Sequence, residues 1–269
     1  MWLPKNYRRY NSQVMQLSVA IIAQDEEDRI SDCLESVSFA DEVVLVDSGS
    51  RDNTVGIARS FGCRVLSEKW RGYAGQKQFA VDNCMNDWVL ILDADERVTH
   101  DTARRIKEIP AASLQEFAAF GFLRKNFFHG RWIRYCGWWP DRVLRLVDRR
   151  QGGFSDHLVH ESWVCRGRVK ELDLILEHYS FQDYSDLIRK MEAYSTLAAR
   201  EMLEKGRRAG IFSPLSHGCW MFFRTYILEM GLLGGFDGFI ISVLNAGGSF
   251  LKYAKLREAN IKGILPGSK

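Results

Sequence analysis

The sequence lacks a cysteine framework. Its six cysteines are scattered over 269 residues, and no two of them form a CxxC pair. A small secreted domain held together by disulfides would need a denser and more regular pattern. The polar, basic N-terminal segment also lacks the apolar central stretch of a signal peptide. We therefore expect a cytoplasmic protein with reduced thiols.

Several motifs of nucleotide-binding and hydrolytic enzymes are absent. The sequence contains no G-x-G-x-x-G, no G-x-x-x-x-G-K-[ST] and no H-E-x-x-H. These absences argue against a dinucleotide fold, a P-loop enzyme and a zinc hydrolase. The net charge of +3 is too small to indicate a nucleic-acid partner. No uncharged stretch reaches the roughly 18 residues that a membrane-spanning helix needs.

Apolar runs alternate with helical patterns in the first hundred residues. The stretches "LSVAIIA", "EVVLV", "CRVL" and "WVLIL" read as buried strands, and the segments between them carry apolar residues at helical spacing. Strands that are apolar along their whole length are typical of a parallel sheet covered on both faces. The sequence therefore predicts an α/β fold with a mostly parallel sheet, organised as one domain with an extension or as two small domains.

The pattern of apolar and polar residues changes after about residue 100. Residues 118–150 are rich in aromatics and arginines without helical periodicity, which favours strands and long loops. A helical pattern returns near residue 180, where Ser180 and Asp183 form a plausible capping box. The tail over 211–251 is apolar but is interrupted by charged residues.

Acidic clusters follow three of the predicted strands: "QDEED", "DSGS" and "DADE". In an open parallel sheet, the loops at the carboxyl ends of strands converge on the ligand crevice. Asp93 and Asp95 are placed to share a site for a hard divalent cation, and Asp47 to accept hydrogen bonds from a base or ribose. Lys77, beside Gln76, is a candidate phosphate contact. Taken singly, each of these residues is equally explained as a turn, cap or surface residue.

A second group of polar residues lies further along the chain. The segment "DHLVHE" supplies Asp156, His160 and Glu161, and His178 follows in "EHYS". Carboxylates and imidazoles serve as general bases and metal ligands, although most single histidines are simply hydrogen-bonded residues.

The aromatic and arginine-rich stretch is best explained by packing. Aromatic rings also suit sugar faces, and guanidinium groups suit phosphates. Arg142 and Arg145 are the candidates for anion contacts on the acceptor side.

Together these motifs resemble a known family. The segments "LSVAIIAQDEED", "VVLVDSGSRDNT", "GYAGQKQFAV" and "WVLILDADERV" resemble the family-2 inverting glycosyltransferases. The later "GRWIRYCGWWPDRVLRLVDRR", "VHE" and "HYSF" resemble the branch of lipopolysaccharide inner-core β-1,4-glucosyltransferases that act on heptose. The likeness covers roughly residues 15–200 and is less specific for the acceptor than for the family.

The resemblance implies a GT-A fold with a Rossmann-like sheet, a UDP-sugar donor and Mg²⁺ or Mn²⁺. Its domains would be a glycosyltransferase unit over 15–180, divided near residue 100 into nucleotide-sugar and acceptor halves, and a helical extension over 181–269. Relatives often have Asn-Glu-Glu after the first strand where this chain has Asp25, so no donor contact is assigned to that residue.

The resemblance also assigns roles to single residues. Asp95 would bind the metal directly, Asp93 would contact ribose or metal, and His178 would be a third metal ligand. Glu161 would be the catalytic base, with Asp156 second. The other carried-over residues are the donor contacts Asp47, Gln76 and Lys77 and the acceptor-side residues Arg142, Arg145 and His160.

The acceptor would be a lipopolysaccharide core sugar or another lipid-linked glycan. The enzyme would then work at the cytoplasmic face of the inner membrane, and the basic, aromatic-rich tail suits an interfacial segment. Packing of the tail on the catalytic domain explains the same pattern equally well. The sequence gives no indication of oligomeric state.

Two other functions fit a Rossmann-like sheet with acidic loops. A sugar-phosphate nucleotidyltransferase would usually carry a glycine-rich basic loop after the first strand, where this chain has the acidic "AQDEED". A non-catalytic sugar-nucleotide-binding or membrane-adaptor protein would keep Asp47 but would not need Asp95 and Glu161 together.

Overall fold

The computed structural model describes residues 15–155 and 162–263. Its strands are β1 Leu17–Ala23, β2 Glu42–Asp47, β3 Arg64–Ser67, β4 Trp88–Asp93, β5 Glu96–Val98, β6 Ala119–Phe128, β7 Arg131–Trp132, β8 Asp141–Asp148, β9 Gly152–Phe154, β10 Trp163–Cys165 and β11 Val169–His178. Its α-helices are α1 Ile30–Ser36, α2 Thr54–Ser60, α3 Gly72–Asp82, α4 His100–Lys107, α5 Ala111–Glu116, α6 Tyr184–Glu204, α7 Ser213–Phe223 and α8 Gly235–Lys262.

Within the described residues, nine strands form one sheet in the order β3-β2-β1-β4-β8-β6-β11-β5, with β7 paired to β6. The four strands at the β3 end are parallel to one another. Strand β8 is antiparallel to both β4 and β6. The predicted parallel sheet is therefore confirmed for the first half of the chain, and the second half makes the sheet mixed.

Both faces of the parallel half are covered, because alternate residues of β1 enter two different cores. Val19 and Ile21 pack with the buried side chains of α1 and α2. Ala20 and Ile22 pack instead with α3. All seven residues of β1 are buried, which is why the strand reads as a continuous apolar run.

The register of the sheet brings the polar strand ends to one edge. Ala23 at the end of β1 is paired with Asp47 of β2, and Ile22 is paired with Asp93 of β4. The acidic residues that follow these strands therefore lie along the carboxyl edge, as the sequence predicts.

The C-terminal helices pack on the sheet domain and on each other. Leu187 of α6 and Ile241 of α8 share a buried cluster with Phe128 of β6. His217 of α7 stacks on Tyr253 of α8 with ring centroids 3.8 Å apart. Between α7 and α8 the chain forms a π-helical turn over Arg224–Leu228 and a 3₁₀ turn over Gly231–Gly234. The predicted helical extension is confirmed, while its boundary with the sheet domain stays a prediction.

The predicted capping box at the start of α6 is wrong. The helix begins one turn later than a Ser180 cap requires, and Asp183 is the N-cap, accepting the Asp186 amide. The hydroxyl and carbonyl of Ser180 instead accept hydrogen bonds from Lys190. Lys190, ten residues further along the chain, competes for the serine, and this contact is visible only in three dimensions.

Helix α8 depends on a close approach to the 3₁₀ turn before it. A Cβ at Gly238 would overlap the carbonyl oxygen of Gly231, whereas a Cβ at Gly247 on the same helix would meet nothing within 4 Å. We expect Gly238→Ala to lower the free energy of unfolding by roughly 2 kcal/mol through overpacking. Gly247→Ala should be neutral or stabilising by up to about 1 kcal/mol, because alanine favours helix.

Urea unfolding of the two alanine variants, followed by far-ultraviolet circular dichroism, checks this difference. Equal stabilities for the two variants would show that α8 does not rest against the 3₁₀ turn.

Candidate active site

The carboxylate of Asp47 shapes the loop after β2. It accepts the backbone amides of Gly49 at 3.0 Å and Ser50 at 3.2 Å. Gly49 has a φ of +99°, which a side chain would strain. Asp25, after β1, joins this loop by accepting the Arg51 amide at 2.7 Å. Asp47 thus lies at the predicted donor edge, and its carboxylate orders the loop there.

Gln76 is fully buried behind the same loops. Its side-chain amide donates to the Ser48 hydroxyl at 2.9 Å and to the Glu68 carbonyl at 3.2 Å. Its oxygen accepts the Arg71 amide at 3.3 Å. Gln76 therefore holds α3 against the loops that follow β2 and β3, and it supports the donor edge from behind.

Asp93 is held by two cations. Lys77 on α3 lies 2.7 Å from one carboxylate oxygen, and Arg145 on β8 lies 2.8 Å from the other. Burial opposes the ionisation of Asp93, but Lys77 and Arg145 outweigh that effect and hold its pKa far below the usual range. Asp93 is therefore a fixed anion whose two oxygens are already engaged.

Glu96 completes this buried cluster. Its carboxylate is fully buried and lies 2.6 Å from Arg145 and 3.0 Å from Arg124. Burial alone would lower the pKa of Arg145, but Glu96 and Asp93 raise it above its ordinary value. Arg124 is in turn bonded to Asp141 at 2.8 Å. The network spans α3, β4, β5, β6 and β8, so it locks the acidic edge to the second half of the sheet.

Asp95 faces His178, the last residue of β11. The Asp95 carboxylate is 3.4 Å from Nε2 of His178 and 3.9 Å from a guanidinium nitrogen of Arg29. Burial raises the pKa of Asp95, but His178 more than offsets this and lowers it. Asp95 is therefore ionised, and His178 beside it is a side chain of a type that could bind the same metal ion.

The ring of His178 is oriented by Asn126. Nδ1 of His178 lies 2.6 Å from the side-chain oxygen of Asn126. The amide nitrogen of Asn126 donates to Trp138 and Asp141, which assigns its orientation. Because an amide oxygen only accepts, Nδ1 carries a proton. Nδ1 of His178 is therefore held by Asn126 and Nε2 faces Asp95, and metal-binding histidines have their second ring nitrogen held in the same way.

These residues fit a metal ion that shares its shell with the substrate. Across residues 15–155 and 162–263, no group of three or more histidine, cysteine or acidic side chains could hold a metal by itself. Asp95 and His178 offer two ligands, while both oxygens of Asp93 are engaged by cations. Mg²⁺ commonly takes one or two carboxylates and completes its shell with water and phosphate oxygens.

Glu26 and Arg29 flank Asp95 from the loop after β1. Burial raises the pKa of Glu26 to about 7, although Arg29 opposes the shift. Arg29 lies 3.6 Å from Glu26 and 3.8 Å from Asp186 of α6. The first loop therefore ties the acidic edge to the C-terminal helices, a link that no local sequence pattern signals.

The two predicted acceptor-side arginines have different surroundings. Arg145 is buried and forms ion pairs with Asp93 and Glu96. Arg142 is half exposed and lies 3.2 Å from Glu171 of β11. Asp156, His160 and Glu161 lie outside the described residues, so their predicted roles stay predictions.

A cavity of about 540 Å³ opens beside His178. It continues between α6 and α8, with α7 closing one side. Its floor near the acidic edge is formed by Arg124, Asn126, Asp141 and His178. Since His178 contacts Asp95 and also lines the cavity, the acidic edge and the cavity form one continuous site.

Comparison with known proteins identifies the family. Residues 18–131 match Glycosyl transferase family 2. The chain is 32% identical over 258 residues to the glycosyltransferase RT0209 of Rickettsia typhi, spanning 92% of this chain and 88% of that protein. It is 34% identical over 260 residues to the lipopolysaccharide core biosynthesis glycosyltransferase LpsC of Rhizobium meliloti, spanning 91% and 93%.

Among solved structures, residues 1–349 of S. aureus TarS superpose with a TM-score of 0.44 at 15% identity, over 93% of this chain and 92% of that chain.

The mixed sheet with flanking helices and the sequence relatives indicate the same family. The chain belongs to glycosyl transferase family 2, and its fold is of the GT-A type. The expected fold class and the expectation of a glycosyltransferase are thereby confirmed, while transfer of a hexose stays a prediction.

The buried cation Arg145 should be far more important for stability than its neighbour Arg142. Replacing Arg145 with methionine leaves Asp93 and Glu96 each with one remaining cation. We expect Arg145→Met to cost roughly 2 to 3 kcal/mol, because breaking a buried pair strands charge in the interior. Arg142→Met removes only a half-exposed pair on the same strand and should change stability by less than about 0.5 kcal/mol.

Denaturant unfolding at pH 7 measures both arginine variants. A loss for Arg145→Met no greater than that for Arg142→Met would mean that the carboxylates do not depend on the guanidinium.

Proposed function

We propose that this protein transfers a hexose from a nucleotide-diphosphate sugar to a lipopolysaccharide core sugar with inversion at the anomeric carbon. The observation that carries the proposal is the continuity of the Asp95–His178 pair with the large cavity. A transferase must hold a charged donor and a second substrate at adjacent positions. The acidic edge and the cavity provide two adjacent compartments of suitable character.

The donor is assigned to the edge formed by the ends of β2 and β4. Asp47 lies at the end of β2, where its carboxylate orders the loop by accepting backbone amides, and we assign the base or ribose to this position. Lys77 adds positive charge beside Asp93, where a diphosphate would approach. A UDP-sugar is the donor that the sequence resemblance implies, and UDP-glucose is the specific proposal.

Residues of this chain would perform the displacement in one step. The acceptor oxygen forms its bond to the anomeric carbon while the bond to the diphosphate breaks and the acceptor hydroxyl loses its proton. Glu161 is proposed as the base that takes this proton, with Asp156 second. Mg²⁺ or Mn²⁺ held by Asp95 and His178 would neutralise charge on the departing diphosphate.

A named relative supports the proposed acceptor class. LpsC, at 34% identity over nearly the whole chain, is described as a lipopolysaccharide core biosynthesis glycosyltransferase. A heptose of the core is the specific proposal, and another lipid-linked or cell-surface glycan is the alternative. His160 and Arg142 are proposed to lie on the acceptor side.

The two rival functions predict different reactions. A sugar-phosphate nucleotidyltransferase would release pyrophosphate from a nucleoside triphosphate. A non-catalytic sugar-nucleotide-binding protein would bind a donor without turnover.

Transfer to truncated lipopolysaccharide acceptors, read by product mass, tests the proposal. With Mg²⁺ or Mn²⁺ and UDP-glucose, we expect one hexose to be added. Asp95→Asn should lower kcat/KM roughly 100-fold or more, because it removes charge at the reacting diphosphate. Glu161→Gln should lower kcat by a similar factor while leaving donor affinity unchanged.

Arg104→Gln serves as a control, since Arg104 is exposed on α4 and pairs with Asp101 of that helix and with Glu108, the residue that caps it. No transfer from any UDP-hexose would refute the donor assignment. Normal turnover by Glu161→Gln would exclude Glu161 as the base.

We further propose that the enzyme works at the cytoplasmic face of the inner membrane. Large apolar side chains are exposed along α7, α8 and the turns between them, including Phe212 at 76% and Phe236 at 69%. Arg207 and Arg208 precede this surface. A lipid surface with anionic headgroups matches this combination of apolar and basic residues. One helical segment, Gly231–Lys262, is also long and apolar enough to cross a membrane by length and composition alone.

Flotation on vesicles containing anionic lipid tests the membrane surface. We expect Phe212→Glu with Phe236→Glu to reduce the bound fraction roughly tenfold, because two apolar contacts become charged. Met85→Glu is the matched control, since Met85 is 72% exposed far from the C-terminal helices in the chain. Equal flotation of both variants and the wild type would remove the membrane role from this surface.

A further inference from the structure

The cavity beside His178 is elongated along α6 and α8. On α6 and α8 its lining residues recur on successive turns of one face, and they extend from Leu187 and Leu244 near the acidic edge to Ala198 and Lys252. Eight residues separate Leu244 from Lys252, which corresponds to about 12 Å along a helix. The cavity is therefore an elongated groove leading away from the reacting centre.

Two lysines face this groove, and Lys190 also acts at longer range on the carboxylates of Glu26 and Asp95. Lys190 donates to the carbonyl and hydroxyl of Ser180 and lies 4.8 Å from the ring of Phe181. Lys252 lies 5.0 Å from the ring of Tyr253. Within residues 15–155 and 162–263, no acidic oxygen lies within ion-pair distance of either ammonium. Lys255 and Lys262 on the same helix, in contrast, pair with Glu192 and Glu258.

The surroundings of Lys252 disfavour its charged form. The lysine is half buried, and burial lowers its pKa. The one acidic side chain among the groove's described lining residues is Asp141, which is bonded to Arg124. A half-buried cation without a counter-ion is stabilised when an anion enters. The charge distribution therefore matches an occupant with negative charge at the end remote from the acidic edge.

The wall between the two ends suits a glycan. Trp138, Phe181 and Tyr194 line the groove together with Met191 and Leu244. Trp138 and Phe181 are stacked on each other with ring centroids 5.3 Å apart, and with Tyr194 they form an apolar wall that suits the apolar faces of sugar rings. The polar floor of Asn126 and His178 lies at the end next to Asp95.

We propose that this groove binds an acceptor whose reacting sugar lies beside His178 and whose neighbouring sugar carries a phosphate or carboxylate bound by Lys252, with Lys190 between them. The inference rests on the proposed function and adds to it a required feature of the acceptor. A neutral glycan would leave the ammonium of Lys252 unpaired, so the groove selects acidic glycans by the free energy of that ion pair.

Steady-state transfer with varied acceptor tests the inference on the full chain. Lys252→Gln should raise the acceptor KM roughly tenfold with little change in kcat, because it removes binding that is the same in the ground and transition states. Lys252→Arg should restore most of the affinity. Lys262→Gln, which removes an exposed and paired lysine of the same helix, should match the wild type.

Modified acceptors identify the anionic group. Enzymatic dephosphorylation of the truncated lipopolysaccharide, and separately reduction of its carboxylates, each removes one source of charge. The modification that removes the recognised group should raise the wild-type KM by the same factor as Lys252→Gln. It should cause no further rise in the Lys252→Gln variant, because the two changes delete the same interaction.

The outcomes separate the two proposals. Absence of transfer by the wild type refutes the proposed function itself. Normal transfer with an unchanged acceptor KM for Lys252→Gln overturns the groove assignment alone. A raised KM that is independent of acceptor charge also overturns it, because Lys252 would then act only on the structure. Thermal unfolding of each variant confirms that the compared proteins are folded.

Discussion

The buried guanidinium of Arg145 is the interaction on which the acidic edge depends. It lies between Asp93 and Glu96 at 2.8 and 2.6 Å. Lys77 binds the other oxygen of Asp93, and Arg124 shares one oxygen of Glu96 with Arg145. Two buried anions so close together would repel each other strongly in a medium of low polarity. The three cations neutralise this repulsion, and their ion pairs connect the parallel strands to β6 and β8. The position of Asp95, two residues beyond Asp93, is fixed as a consequence.

His178 connects this cluster to the rest of the molecule. Its ring is held by Asn126, its Nε2 faces Asp95, and its side chain lines the groove between α6 and α8. The same imidazole therefore belongs to both compartments that a transferase needs. Because β11 ends at this residue, the pairing of β11 with β6 and β5 decides where the two compartments meet.

The C-terminal helices pack on the sheet domain and also expose an apolar surface. They bury Ile241 and Leu256 against the sheet domain and against α6, yet they leave a long apolar surface exposed. The two explanations that the sequence offered for the tail, packing and an interfacial role, therefore apply to different faces of the same helices. One face of these helices lines the groove. The other face exposes large apolar side chains, and this exposed surface supports the proposal of a lipid surface.

The amino-acid sequence by itself determined the strands of the parallel half and the position of Asp47, Asp93 and Asp95 at their ends. These features follow from local periodicity, since a strand buried on both faces must be apolar until it leaves the core. The sequence could not show that Arg145 lies beneath Asp93 or that Asn126 orients His178, because these contacts join residues 52 positions apart. Nor could it show the groove, which exists only where α6 and α8 pack side by side. The tertiary structure decided those features, because the pairing of a buried charge and the shape of a cavity depend on which distant segments meet.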